Sequence, residues 1–287
     1  PNLLHFSRLN NTKILVANAR LSEKSAAGYH KYNRITYKMM LDISHVSAQT
    51  EQDGQRYCQL GLDKNKLSVS GSIKFDIQLE QALKQKSQLL KQQWAPHRPV
   101  WVAGSIHIDE LNDIFLAFEK ILTVVPDLLL VVVPRHPEYF QSISEQIKKS
   151  PFSMIKRSDN CTPDNSVQIV LGDTMGELLL FWGIADIAFV GGSLIESGGH
   201  NPLEPAVFSL PIVTGPHVYN FTLIYELLKR KEGVLFAADS EQLATHMLSL
   251  LQDPLYRQTV GENAGLVVKE NRGPLNKLFK EVEKLLD

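Results

Sequence analysis

The stretch Leu128-Leu-Leu-Val-Val-Val-Pro-Arg-His-Pro137 decides the fold. Six consecutive aliphatic residues without polar alternation describe a strand buried on both faces, the condition of a parallel sheet covered by helices on each side. Residues 108–125 before it and 138–149 after it carry apolar side chains at helical spacing. A strand between two amphipathic helices is the unit of a βαβ repeat. The rhythm continues outward, with strands expected at 100–103, 153–156, 167–170, 187–190, 211–213 and 234–236. Helices are expected at 176–183, 202–208, 221–229 and 241–252, and a last helical segment at 256–286. The pattern predicts a doubly wound α/β domain over residues 100–255, with ligands beyond the carboxyl ends of its strands.

Toward the N-terminus the same alternation recurs in weaker form. Strands are expected at 13–18, 43–48 and 67–70, and helices at 25–41 and 51–60. Because no strand precedes residue 13, residues 1–76 read as the remainder of a first α/β domain that begins inside a repeat. Residues 77–99 read as a linker helix and boundary, closed by Ala95-Pro-His-Arg-Pro99. Residues 256–287 are expected to pack back toward the N-terminal domain.

The 287 residues are 44% apolar and 21% charged, ordinary globular usage that excludes a disordered or fibrous chain. A net charge of −1 conceals an asymmetry: residues 1–100 hold 15 Lys/Arg against 7 Asp/Glu, and the rest hold 15 against 24. Within the first 38 residues the basic residues Arg8, Lys13, Arg20, Lys24, Lys31, Arg34 and Lys38 stand against a single acid, Glu23. This is either a solvated face or a surface for an anionic partner. Cys58 and Cys161 have no metal-like or CxxC spacing, which predicts a reducing compartment without a disulfide framework. The histidines form no HExxH or HxxxH pair, so no protein-bound catalytic metal is expected. The longest apolar stretch, 178–195, is broken by Asp186 and three glycines, and neither a membrane span nor a signal peptide is expected. Absence of GxGxxG in the first domain and of GxxxxGK[ST] disfavours a dinucleotide oxidoreductase or a P-loop kinase.

Strand ends carry the candidate chemistry. Pro134-Arg135-His136-Pro137 is a stiffened turn whose arginine suits a phosphate or a base edge, or else a salt bridge to a neighbouring helix. In Leu171-Gly-Asp-Thr-Met-Gly-Glu177 the spacing of Thr174 and Glu177 is that of a capping box, and Met175 and Gly176 would then lie in a first helical turn open to a base or sugar. Phe189-Val-Gly-Gly-Ser193 followed by Gly198-Gly-His-Asn-Pro-Leu-Glu-Pro205 is the most specific. It predicts a glycine-rich strand exit, an N-cap at Asn201, Pro202 in the first turn, an anion held at that helix start, and Glu204 placed for ribose hydroxyls. A capped loop alone would leave the glycines unexplained, so a nucleotide monophosphate or diphosphate site is the expectation. His217 and Asn220 in Gly215-Pro-His-Val-Tyr-Asn220 line a cleft or cap the next helix, and His107 after Gly104-Ser105 carries the same ambiguity.

The set Asn18-Ala-Arg-Leu-Ser22, Ala48-Gln-Thr-Glu51, Gly71-x-x-Lys-Phe-Asp76, Val133-Pro-Arg-His-Pro137, Gly172-Asp-Thr-Met-Gly-Glu-Leu178, Gly191-Gly-Ser193, Gly198-Gly-His-Asn-Pro-Leu-Glu-Pro205 and Gly215-Pro-His217 closely resembles the Kdo transferases. These are the 3-deoxy-D-manno-octulosonic acid transferases of lipopolysaccharide assembly. The resemblance implies the GT-B fold, two Rossmann-like doubly wound domains, with the N-terminal one incomplete in this chain. It implies transfer of Kdo from CMP-Kdo to a lipid A precursor with inversion, at the cytoplasmic face of the bacterial inner membrane. CMP-Kdo, the lipid A precursor and an anionic membrane surface are the implied partners; nucleic acid, a cofactor and a metal are not.

Matched motif by motif, Pro134, Arg135, Met175, Gly176, Glu177, Asn201, Pro202, Leu203 and Glu204 are the implied CMP-binding positions. Gly191, Gly192, Ser193, Gly199, His200, His217, Asn220, Lys74 and His107 are the implied cleft-lining positions. Ser72 stands where the family commonly has Asn, and Ile106 where Thr is common. The family's membrane anchor and its general-base glutamate have no counterpart in this sequence, so no catalytic base is assigned. A UDP-sugar-dependent GT-B enzyme and a CMP-binding module without turnover are the alternatives; a nucleic-acid binder lacks interleaved aromatics and any recognised motif.

Overall fold

In the computed structural model, which describes residues 1–286, the backbone forms two separate parallel sheets. The chain divides accordingly into one unit of Pro1–Asp76 joined by the segment from Asn271 onward, and another of Ile77–Glu270.

The first unit opens with α1 (Asn2–Leu9) and continues through β1 (Leu15–Ala19), α2 (Glu23–His30), α3 (Asn33–Asp42), β2 (His45–Ala48), α4 (Glu51–Gln59) and β3 (Leu67–Val69). Its strands lie in the order β1-β2-β3, all parallel. The single helix expected at 25–41 is two helices. After His30 the run Lys31-Tyr32 leaves the helix, and the Thr36 hydroxyl donates to the Tyr29 carbonyl at 2.9 Å across the break. Thr50 caps α4, accepting the Asp53 N–H at 3.0 Å, and the buried Asp53 carboxylate takes the Leu21 N–H at 2.8 Å, tying the exit of β1 to α4. The core is small: Ala19, Leu21, Met40, Ile43, Val46, Leu60 and Leu62.

The second unit contains α5 (Gln81–Trp94), β4 (Val100–Ile106), α6 (Leu111–Leu122), β5 (Leu129–Pro134), α7 (Phe140–Lys149), β6 (Met154–Lys156), β7 (Ile169–Leu171), α8 (Leu178–Trp182), β8 (Ile187–Val190), α9 (Leu203–Ala206), β9 (Ile212–Thr214), α10 (Thr222–Arg230), β10 (Val234–Phe236), α11 (Ser240–Gln252) and α12 (Pro254–Glu270). Its strand order is β10-β9-β8-β4-β5-β7-β6, parallel throughout. The chain winds outward from β4 through β5 to β6 and β7, then crosses to the opposite side of β4 for β8, β9 and β10. That reversal beside β4 is the switch point at which doubly wound sheets open a crevice beyond their carboxyl ends. Trp101, Phe118, Phe189, Ile114 and Val213 are among the side chains buried in its large core. Helix α5, expected as a linker, packs within this unit: Ser87, Leu90 and Trp94 are buried, and Lys91 pairs with Asp186 at 2.5 Å while that carboxylate also takes the Val100 N–H.

Two expected helices differ in length. The helix foreseen at 202–208 is the single turn α9, and the one foreseen at 176–183 starts two residues later as α8. The C-terminal segment foreseen as one helix breaks at Gly273, where φ is +112°, and resumes as α13 (Pro274–Leu286). Asp76 accepts the N–H groups of Gly273 and Leu275, each at 2.7 Å, and His45 lies 3.6 Å from Glu281, so α13 belongs to the first unit.

Candidate functional site

The exits of β4, β5, β7, β8 and β9 all reach the carboxyl edge of the larger sheet, and hydrogen bonds join them into one patch. Arg135 donates its N–H to Ile106 O at 3.0 Å, and Gly191 donates to Gly104 O at 2.9 Å. His200 donates to Gly191 O at 3.2 Å, Gly199 to Gly192 O at 2.7 Å, and His217 to Ser193 O at 3.0 Å. Gly191 is required by close approach, since a Cβ there would stand 2.7 Å from both the Ile106 Cα and the Ser105 carbonyl oxygen. Asn220 caps nothing on α10; its side-chain amide donates to Ser197 O at 3.1 Å and binds the 217–220 loop to the glycine loop.

At the centre of the patch lies a residue that the motifs did not single out. Glu110 is 0% exposed. Its Oε2 accepts the N–H groups of His107 (2.9 Å) and Gly192 (2.7 Å), and its Oε1 those of Ser193 (2.9 Å) and Leu194 (3.0 Å). The spacing His107-x-x-Glu110 is that of a reciprocal helix cap and was available in the sequence, but it foretells only the His107 bond. The other three partners lie more than 80 residues away in the chain.

Three histidines gather above. The rings of His107 and His200 stack 5.3 Å apart with their Nε2 atoms 3.1 Å from one another, and His136 meets His107 edge-on at 6.0 Å. Burial, then the proximity of His107, Arg135 and His136, lowers the His200 pKa to about 4, so this imidazole is neutral at physiological pH. Glu204 is displaced the other way: burial raises its pKa, while Asn201, Trp182 and Arg135 oppose that shift. Asn201 faces Glu204 at 3.4 Å and accepts the Leu203 N–H at 3.2 Å, but the N-cap of α9 is Pro202, one residue later than expected, so Pro202 precedes the first turn instead of lying in it. Pro202 and Leu203 are buried.

Beyond β7, Met175 is exposed and Gly176 adopts φ +79° with open space at its Cβ position. These residues precede α8 instead of forming its first turn. The expected capping box is overturned: the Thr174 hydroxyl bonds the Glu177 carboxylate directly, and Arg157 takes that carboxylate with two bonds, Nε at 3.1 Å and Nη2 at 3.0 Å. Arg157 holds the Glu177 pKa below the ordinary range and itself stacks on Trp94, 5.5 Å from the ring centre. No motif marks Arg157, which sits 20 residues from its partner at the start of a 3-10 turn, Arg157–Asp159.

Ser193 does not line a cleft. It is fully buried, donating to Val190 O at 2.7 Å and accepting the Gly215 N–H at 2.8 Å. Lys74 lies in the first unit, in the turn after β3, where partial desolvation and then the Arg20 charge lower its pKa. Among the described residues, no group of three or more His, Cys, Asp or Glu side chains could hold a metal ion.

The comparisons with known proteins bear on these same elements. Residues 1–77 match the family model described as 3-deoxy-D-manno-octulosonic-acid transferase (kdotransferase), and residues 109–266 match that of glycosyl transferases group 1. The 3-deoxy-D-manno-octulosonic acid transferase of Haemophilus influenzae is 41% identical over all of this chain, which spans 67% of that relative's length. The chain belongs to the Kdo transferase family. The crystal structure of the C-terminal CMP-Kdo binding domain of WaaA from Acinetobacter baumannii matches at TM-score 0.63 and 34% identity, covering 66% of this chain and 99% of that one. Anabaena HepE in complex with UDP and glucose, 13% identical at TM-score 0.55, covers 99% of this chain and 74% of its own, and shares the fold. The Kdo transferase chain is thus an α/β protein of GT-B type, built from two Rossmann-like units. In it, Pro134 and Arg135 from the exit of β5 and His200 to Glu204 from the exit of β8 come onto one edge, and the geometry adds Glu110 and His136 to them.

Proposed function

We propose that this chain binds CMP-Kdo at the carboxyl edge of its larger sheet and transfers Kdo, with inversion, to a lipid A precursor in lipopolysaccharide assembly. The supporting observation is that the exits of β4, β5 and β8 meet at one edge, where the Arg135 N–H bonds Ile106 O at 3.0 Å, the Gly191 N–H bonds Gly104 O at 2.9 Å and the His200 N–H bonds Gly191 O at 3.2 Å. Membership of the Kdo transferase family and the likeness to a CMP-Kdo binding domain support CMP-Kdo as the ligand.

In this proposal Arg135 meets the phosphate of the departing CMP, on which negative charge grows as the glycosidic bond breaks. A strong helix dipole is not part of the mechanism. Helix α9 has four residues and sums too few peptides to supply one, so charge is met by the arginine fork and nearby backbone N–H groups. Glu204 accepts the ribose hydroxyls, and Pro134 with the Met175–Glu177 loop frames the cytosine. Neutral His200 and its partner His107 line the sugar side, where an uncharged imidazole donates or accepts without competing for the phosphate. No metal or cofactor is assigned a role. The cationic segment from Arg8 to Lys38 faces the anionic acceptor and the bilayer surface at the cytoplasmic side of the inner membrane. No helix among the described residues is long and apolar enough to cross a membrane.

Binding of CMP should raise the melting temperature of the wild-type chain, and Glu204→Ala should abolish that rise. A rise with UDP and none with CMP would assign the site to a UDP-sugar enzyme. Incubation with CMP-Kdo generated in situ and lipid A precursor reads turnover as Kdo-lipid product.

A further inference from the structure

Gly192, Ser193 and Leu194 turn three successive N–H groups into one concavity, with Gly192 at φ +69° supplying the left-handed step. Such a backbone nest ordinarily receives a phosphate or another external anion. Here it is already filled by the Glu110 carboxylate, whose remaining lone pair reaches back to the His107 N–H on the exit of β4. We infer that Glu110 is a positioning residue of the donor site, an internal anion that occupies the glycine-loop nest and locks the β4 and β8 exits together.

Two consequences follow from the geometry, the second resting on the CMP-Kdo reading above. The glycine loop cannot offer these N–H groups to a donor, which leaves the donor phosphate to Arg135 and to backbone N–H groups outside Gly192–Leu194. The lock also sets the donor-facing groups: it holds His107 at the start of its turn, against which His200 stacks, and His200 is anchored to the same loop by its N–H bond to Gly191 O. From His200 the chain runs directly into Asn201 and Glu204. A free nest would let the loop relax, and these groups would lose their spacing without any of them being altered.

Formate, a small carboxylate that fits an emptied nest, supplies the test. In the full chain with Glu110→Ala, formate should raise the melting temperature saturably, whereas wild type should show no saturable response. The same variant should bind CMP roughly tenfold or more weakly, because buried N–H donors left without acceptors rearrange the loop, and formate should restore that affinity. Glu110→Gln keeps the volume but turns an amide N–H toward donors, so it should weaken CMP comparably and resist formate. If Glu110→Ala does not fold in buffer, folding that appears only with formate supports the nest. Lowered stability with unchanged CMP affinity, or no formate effect on Glu110→Ala, would overturn the inference. Failure of wild type to bind CMP would instead sink the donor assignment, and the formate response would still decide the nest.

Discussion

The two units are built from the same repeat and differ in how completely the described residues cover each sheet. The second closes seven strands between helices, and β4, β5, β7 and β8 are buried at nearly every position. The first has three strands, of which β1 and β3 are only partly covered. Leu3 (79% exposed), Phe6 and Leu9 of α1, Tyr32 just before α3, and Ile35 of α3 are exposed. A sheet covered on both faces can hold strand exits rigidly enough to build a ligand site from backbone contacts.

The difference can be broken first by core truncation. Phe189→Ala in the larger sheet should cost about 4 kcal/mol, against about 2 kcal/mol for Met40→Ala in the smaller core, whose cavity can collapse toward the surface. Denaturant titration of both variants checks this, and equal losses would erase the distinction between the units. Next in size is surface charge. Replacing Lys31 and Arg34, both exposed, by Gln should weaken binding to anionic vesicles roughly tenfold or more, since each cation near such a surface contributes about 1 kcal/mol. Replacing Lys148 and Lys149 in the second unit the same way should leave vesicle binding unchanged.

The last contrast is a pH slope. His200 has a folded pKa of about 4 against 6.5 for an unperturbed histidine, so between those values the unfolded chain binds a proton that the folded chain refuses. Stability attributable to His200 is therefore present above pH 6.5 and is lost as pH falls toward 4. His200→Gln should flatten the melting-temperature profile in that window relative to wild type. An unchanged slope would show that the histidine stack does not exclude the proton.

The residues Leu128 to Val133 and the glycines before His200 were legible in the sequence because each carries its reason locally: unbroken apolar runs mean two buried faces, and clustered glycines mean close backbone approach. The division of residues 25–41 into α2 and α3 was not legible, because the Thr36 to Tyr29 bond that accompanies it competes with helical periodicity without disturbing it. The short α9 was likewise hidden, since Asn201-Pro202 marks where a helix begins and nothing nearby marks that it ends after one turn.

By itself the sequence determined the class of fold and the family, and it picked out Pro134, Arg135, Asn201 and Glu204 as the candidate nucleotide-binding positions. Only the tertiary structure decided who partners whom: Glu110 with the nest of Gly192 to Leu194, His107 with His200, and Glu177 with Arg157. The physical reason is range. Burial periodicity, capping and turn chemistry act over a few residues and leave their mark in local order, whereas a buried carboxylate finds its donors wherever the winding of the sheet brings them.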